Sequence, residues 1–182
     1  MSTKKNYLLT PGPTPLPPYV CEALARPIIH HRTPQFQAIL KETEENLKYV
    51  FQTKNDVFIL ASSGTGAMEA AVVNTINPGD KVVVIEGGKF GERWTELASM
   101  AHAEIDVIGV EWGKAVDPKI IKKKIEKDGR IKAVFATHCE TSTGVSTDIK
   151  ALGEITRNSS TLLIVDAISS LGSLDLKTDD WE

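Results

Sequence analysis

Cysteine is nearly absent. Cys21 and Cys139 are the only two in 182 residues, too few for a disulfide framework and without the spacing of metal ligands. Such usage fits a reducing compartment. Excess positive charge is lacking as well: 21 Lys and Arg stand against 24 Asp and Glu, a formal net charge of −3. That balance argues against a dedicated nucleic-acid binder, which carries a basic face. No apolar run approaches the ~20 residues of a membrane span, and the opening MSTKKNYLLTPGP has no apolar h-region. There is no internal repeat and no low-complexity block. A soluble, cytoplasmic protein is expected, with no membrane, nucleic-acid or metal partner. What remains is ordinary globular composition, 41% hydrophobic and 25% charged, at a length that builds one sizeable core or most of one.

Proline is concentrated at the start, where Pro11, Pro13, Pro15, Pro17 and Pro18 surround Gly12. That density forbids regular helix and favours an extended arm of fixed shape, with Tyr7-Leu8-Leu9 apolar enough to anchor it. Tyr19–Leu24 reads as a short helix. The neighbouring His30 and His31 are expected to point in different directions and have no second ligand cluster, so a structural role is expected of them. Thr33 as N-cap and Pro34 at the first helical position open a longer helix through Phe51. Phe36, Ile39, Leu40, Thr43, Leu47 and Val50 mark its amphipathic face.

The stretch Asp56–Ala71 organises the rest. An apolar run, Val57–Leu60, is expected to be a strand. It breaks into the small polar turn Ala61–Gly66, and a helix-forming segment follows at Ala67–Ala71. Strand, small-residue turn and helix N-terminus together suit a phosphate group, because unpaired N–H groups and the helix dipole converge there. Downstream, strands are expected at Lys81–Ile85, Glu104–Val110, Ala133–Thr137 and Leu162–Val165, the last ending at Asp166. Helices are expected from Gly87-Gly88 to about Ala103, from Asp117-Pro118 to about Asp128, and over Asp148–Arg157. Apolar strands alternating with helices predict an α/β fold, a mostly parallel sheet covered on both faces. Ligands of such sheets sit at the carboxyl ends of the strands. Those ends carry Ser63-Gly64-Thr65, Gly87–Phe90, His138–Thr141 and Asp166–Ile168.

A phosphate cradle, a flat aromatic, a hydroxyl-rich turn and a carboxylate closing a buried strand suit a flat, phosphorylated, cationic cofactor such as pyridoxal phosphate. Its ring nitrogen must stay protonated, and a buried carboxylate beside that N–H favours the charged form. An aspartate after LLIV serves equally well as a cap for the next turn, or as a ribose or magnesium ligand in a nucleotide fold. A dinucleotide fingerprint is not matched, since Gly64-Thr65-Gly66-Ala67-Met68-Glu69 ends in Glu69 rather than glycine.

The segments LLTPGPTPLPP (8–18), SSGTGAMEA (62–70), PGDKVVV (78–84), GKFGERW (88–94), THCETSTGV (137–145) and VDAISSLG (165–172) resemble the class V aminotransferase family. The likeness is to its alanine–glyoxylate and serine–pyruvate branch, and it runs through essentially the whole chain in one order. It implies the large domain of PLP-dependent transferase fold type I, incomplete, with the C-terminal small domain absent. Residues 1–32 would form the proline-rich arm and 33–182 the N-terminal part of the PLP-binding large domain. The resemblance also implies that Ser63, Gly64 and Thr65 cradle the cofactor phosphate. Phe90 would stack on the pyridine ring, Thr141 contact the phenolic oxygen, Asp166 pair with the ring nitrogen and Ile168 pack on the opposite ring face. Gly12 would approach the substrate carboxylate, and His138 and Glu140 would have support roles.

The family's Schiff-base lysine follows the equivalent of Asp166 by roughly two dozen residues, in a Ser-Gln-Lys context, whereas the chain ends at Glu182. Neither Lys89 nor Lys177 matches that context, so no catalytic residue is assigned. The expected activity is transfer of an amino group from alanine or serine to glyoxylate or pyruvate, once completed by a C-terminal chain and with the enzyme a homodimer. The alternative is a non-catalytic subunit or assembly partner that keeps the cofactor pocket.

Overall fold

The computed structural model describes residues 8–181, so the expectation for Tyr7 lies outside them. They fall into two units, one running to Asn46 and the other from Leu47. In the first unit, α1 (Pro18–Leu24) follows the proline-rich segment. The helix α2 (Pro34–Phe51) opens as expected: Thr33 Oγ1 accepts the Phe36 amide at 3.3 Å. No residue of α1 or α2 is buried.

The second unit is built on four parallel strands. β1 (Lys81–Glu86), β2 (Glu104–Gly109), β3 (Ile131–Thr137) and β6 (Leu162–Asp166) lie in the order β2-β1-β3-β6. A two-stranded ribbon, β4 (Cys139–Glu140) with β5 (Val145–Ser146), follows β3. Alternation decides which side chain meets which layer. Val82, Val84, Ala133 and Phe135 point to one face, where α3 (Gly64–Thr75) and α4 (Lys89–Met100) contribute Met68, Val72, Trp94 and Leu97. Val83, Ile85, Val134 and Ala136 point to the other, where α5 (Pro118–Lys127) and α6 (Ile149–Thr156) contribute Ile121, Ile149 and Leu152. Both helices on that face start on aspartate caps: Asp117 accepts the Lys119 amide and Asp148 the Ala151 amide.

The chain leaves β1 toward β2 on one side and returns to β3 on the other, so the strand order reverses between β1 and β3. The crevice at their carboxyl ends is where such sheets bind ligands. After β6 the chain folds back, within the second unit, on the segment that follows α2. The Asp179 carboxylate accepts from Thr53 Oγ1 and the Lys54 amide at 2.6 and 2.8 Å.

Two expectations need correction. Val57–Leu60 is not a strand: it pairs with none of the four, and Phe58 is 84% exposed. An apolar extended run becomes a strand only when a neighbour supplies ladder hydrogen bonds. The helix expected to reach about Ala103 ends at Met100, because His102 adopts φ 57° and the Ala103 amide bonds back to the Ala98 carbonyl at 3.1 Å, a Schellman closure. Among the described residues, no helix is long and apolar enough to cross a membrane.

Candidate functional site

The first turn of α3 starts earlier than the hydrophobic pattern suggests, at Gly64. Ser63 is its N-cap in extended conformation, with Oγ accepting the Gly66 amide at 3.4 Å. Gly64 and Thr65, as the first helical residues, have amides with no intrahelical acceptor, and the dipole adds partial positive charge. Gly64 lies close to the loop after β6: a Cβ there would stand 2.7 Å from Ile168 Cδ1, the tip of a largely exposed side chain. The loop after β6 thus packs directly on the turn. From the other side, Arg93 on α4 donates through Nη1 to Thr65 Oγ1 at 2.7 Å, while its Nε donates to Glu96 one turn on.

At the switch point, α4 begins on Gly88, which has no side chain to cap the helix. The capping comes from another element. Glu140, buried at the end of β4, accepts the Phe90 and Gly91 amides through Oε2, each at 3.1 Å. Its Oε1 accepts Ser142 Oγ at 2.6 Å and the Ser142 amide at 3.2 Å. Ser142 Oγ in turn accepts the Lys89 amide at 3.0 Å. A Cβ on Gly88 would collide with Ser142 Oγ and Glu140 Cγ, so glycine is what lets the two segments meet.

Asp166 closes β6. Its Oδ1 accepts the Ile168 amide at 2.9 Å, and among the described residues no cation pairs with it. Burial pushes its carboxyl above the ordinary carboxylate value and the nearby Glu140 charge adds to that, against the opposing Ile168 amide. Beside it, the His138 amide donates to the Asp166 carbonyl at 2.8 Å. Burial depresses the His138 imidazole, and neither His138 Nδ1 nor Thr137 Oγ1 has a partner among the described residues. Ser169 Oγ donates to the Cys139 carbonyl at 2.7 Å, tying the β6 loop to the β3 loop.

Ser63, Gly64, Thr65, Phe90, Thr141, Asp166 and Ile168 therefore lie on four segments that these contacts join at the carboxyl edge of one sheet. Phe90 and Thr141 are half-buried, and Ile168 is 65% exposed. Gly12 belongs to the first unit, where it precedes Pro13 through a cis peptide bond. Lys89 is held by Glu92 at 2.6 Å, which raises its ammonium above the ordinary lysine value. Lys177 lies 3.9 Å from Asp175. Sequence reasoning missed Arg93 and Ser142. The GERW and ETS runs contain both, but what each touches is distant in the chain. Among the described residues no group of His, Cys, Asp or Glu could hold a metal ion.

A family model described as aminotransferase class-V matches residues 6–182. The chain is 43% identical over 178 residues to a soluble hydrogenase 42 kDa subunit of Anabaena cylindrica, covering 96% of this chain and 46% of that protein. It is 45% identical over 177 residues to an uncharacterized aminotransferase of Methanocaldococcus jannaschii, covering 97% and 46%. The crystal structure of ureidoglycine–glyoxylate aminotransferase from Bacillus subtilis superposes with a TM-score of 0.93 at 35% identity, over 100% of this chain and 47% of that one. The chain spans about half the length of the curated relatives it matches.

Proposed function

The chain belongs to the class V aminotransferase family, and from that premise we propose that its carboxyl-edge cluster binds pyridoxal 5′-phosphate as part of a transaminase. The observation that carries this reading is Asp166, a partly buried carboxyl with no cation partner among the described residues, raised above its ordinary value at the carboxyl end of β6. A pyridinium N–H placed there would supply the missing positive partner. The cofactor, when bound, acts as an electron sink for the amino-acid carbon being deprotonated. Ser63, Gly64 and Thr65 offer a hydroxyl-capped helix start for its phosphate, with the Arg93 guanidinium beside Thr65 adding charge. Phe90 is the aromatic against which the ring would lie and Ile168 the apolar side chain opposite. The Thr141 hydroxyl, which has no side-chain partner among the described residues, would meet the phenolic oxygen.

The amino donor in this reading is alanine or serine and the acceptor glyoxylate or pyruvate, with Gly12, in the arm of residues 1–32, serving the substrate carboxylate. Residues 33–182 supply the N-terminal part of the large domain in a cytoplasmic homodimer. The polypeptide matching the remaining length of the relatives supplies the lysine that joins the cofactor covalently. The test is titration of the 182-residue chain with pyridoxamine 5′-phosphate, which has no aldehyde to react with surface lysines, followed by its fluorescence. Saturable binding that inorganic phosphate displaces and Asp166→Asn weakens is expected, with transamination appearing on addition of the completing polypeptide. Absence of saturable binding both alone and after completion overturns the reading.

A further inference from the structure

We propose that Glu140 is a positioning residue of this site: its buried carboxylate fastens the start of α4, which carries Phe90, to the turn that carries Thr141, so that ring and hydroxyl are held in one fixed relationship. The inference rests on the cofactor reading above and concerns a residue that would touch neither cofactor nor substrate. Four donors converge on its two oxygens: the amides of Phe90, Gly91 and Ser142, and the Ser142 hydroxyl. These four donors commit the acceptor capacity of the carboxylate within the protein, although its charge is also felt by the nearby Asp166. A helix start is itself a place for an anion. At α4 that place is filled by Glu140, whereas among the described residues no carboxylate hydrogen-bonds the start of α3, which meets its Ser63 cap, Ser62, Arg93 and Ile168. The two helix starts facing the crevice therefore have different tasks, one closed by a protein carboxylate and one open to a ligand phosphate.

The arrangement depends on two glycines. Gly88 admits Glu140 and Ser142 against the backbone, and a Cβ at Gly91 would stand 2.6 Å from the Ile85 carbonyl. The turn beyond Glu140 is closed by its own carbonyl, which accepts the Gly144 amide at 2.7 Å. Thr141 thus sits between a buried side-chain anchor and a closed turn. Moving the carboxylate shifts both Phe90 and Thr141.

The test is a double-mutant cycle on pyridoxamine 5′-phosphate binding by the full chain, with circular dichroism confirming the fold of each variant. Phe90→Leu is expected to weaken binding about fivefold in the wild-type background, the scale of an aromatic stacking contact. In a Glu140→Gln background the same change is expected to cost less than about twofold, because the ring is already out of register. Glutamine turns one acceptor into a donor that faces other donors. Ser142→Ala, which removes the hydroxyl bond and keeps the carboxylate, is the milder break should Glu140→Gln not fold, and it must show the same non-additivity with Phe90→Leu. Additive losses in the folded variants would reduce Glu140 to a purely structural residue and overturn the inference alone. No binding by the wild-type chain, alone or completed, overturns it together with the cofactor reading.

Discussion

Arg93 and Thr65 are joined by a 2.7 Å hydrogen bond from the guanidinium Nη1 to the threonine Oγ1. It links the second turn of α4 to the first turn of α3 and brings a cation to the helix start read as a phosphate cradle. The guanidinium is aimed by Glu96, an i,i+3 partner on the same helix. At this half-exposed position that ion pair contributes little to stability.

Arg93→Gln is accordingly expected to weaken pyridoxamine 5′-phosphate binding about tenfold, the ~1.5 kcal/mol of a charge-assisted hydrogen bond, with Arg93→Lys intermediate. Thermal stability should change by less than about 0.5 kcal/mol. Isothermal titration at two salt concentrations checks it, since the arginine contribution is the screened part. Equal affinities of wild type and Arg93→Gln would remove Arg93 from the site.

Asp166 makes a prediction about pH. Its carboxyl is raised in the folded chain, first by burial and then by the Glu140 charge. Below the ordinary carboxylate value both folded and unfolded chains hold the proton, and nothing is lost. As pH rises from there toward the raised folded value, the unfolded chain releases its proton first, so stability falls across that window and then levels off. Asp166→Asn should abolish this part of the slope and leave the cofactor-free chain more stable at neutral pH, while weakening cofactor binding. Melting curves between about pH 4 and pH 7 decide it. Parallel pH profiles for the two proteins would show that Asp166 carries no such penalty.

Much of this was legible along the chain, for reasons that lie in particular residues. Val82 to Ile85 are apolar on both faces, and only a sheet covered twice makes use of that. Thr33, Asp117 and Asp148 cap helices through bonds two or three residues away, a distance at which sequence speaks directly. Val57–Leu60 misled because a strand is a relation to a partner, and the order β2-β1-β3-β6 provides none for it. The contacts that assemble the site, Arg93 to Thr65 and Glu140 to Phe90, span 28 and 50 residues. Residue types indicated that such a cluster could exist, and only the fold determines which donor meets which acceptor.

Two glycines at the helix starts should respond differently to alanine. At Gly91 the added Cβ meets backbone, 2.6 Å from the Ile85 carbonyl oxygen and 2.8 Å from Glu86 Cα. Neither can move without displacing β1, so Gly91→Ala should cost about 1–3 kcal/mol. At Gly64 the Cβ meets only the tip of Ile168, a flexible and largely exposed side chain. Gly64→Ala should therefore leave stability within about 1 kcal/mol, helped by the better helix propensity of alanine. Denaturant midpoints for both variants test the contrast, and equal losses would contradict it.

The free side of β6 leads to a prediction about association. β6 pairs with β3 alone among the described strands, and Leu162 on it is 41% exposed. A groove of about 750 Å³ runs alongside, lined by Phe51, Ile149, Leu163, Val165, Leu176 and Trp181. Parallel sheets are normally covered on both faces and continued or blocked at their edges, because unpaired ladder groups beside apolar surface recruit further strands. The chain alone is therefore expected to self-associate as its concentration rises. Leu162→Lys, which places a charge on the edge, should lower that tendency without disturbing the β3 ladder, and added polypeptide that completes the sheet should suppress it in the wild type. Sedimentation velocity across a concentration series reads all three. A wild-type chain that stays monomeric throughout would mean that the edge is closed by its own residues and needs no partner strand.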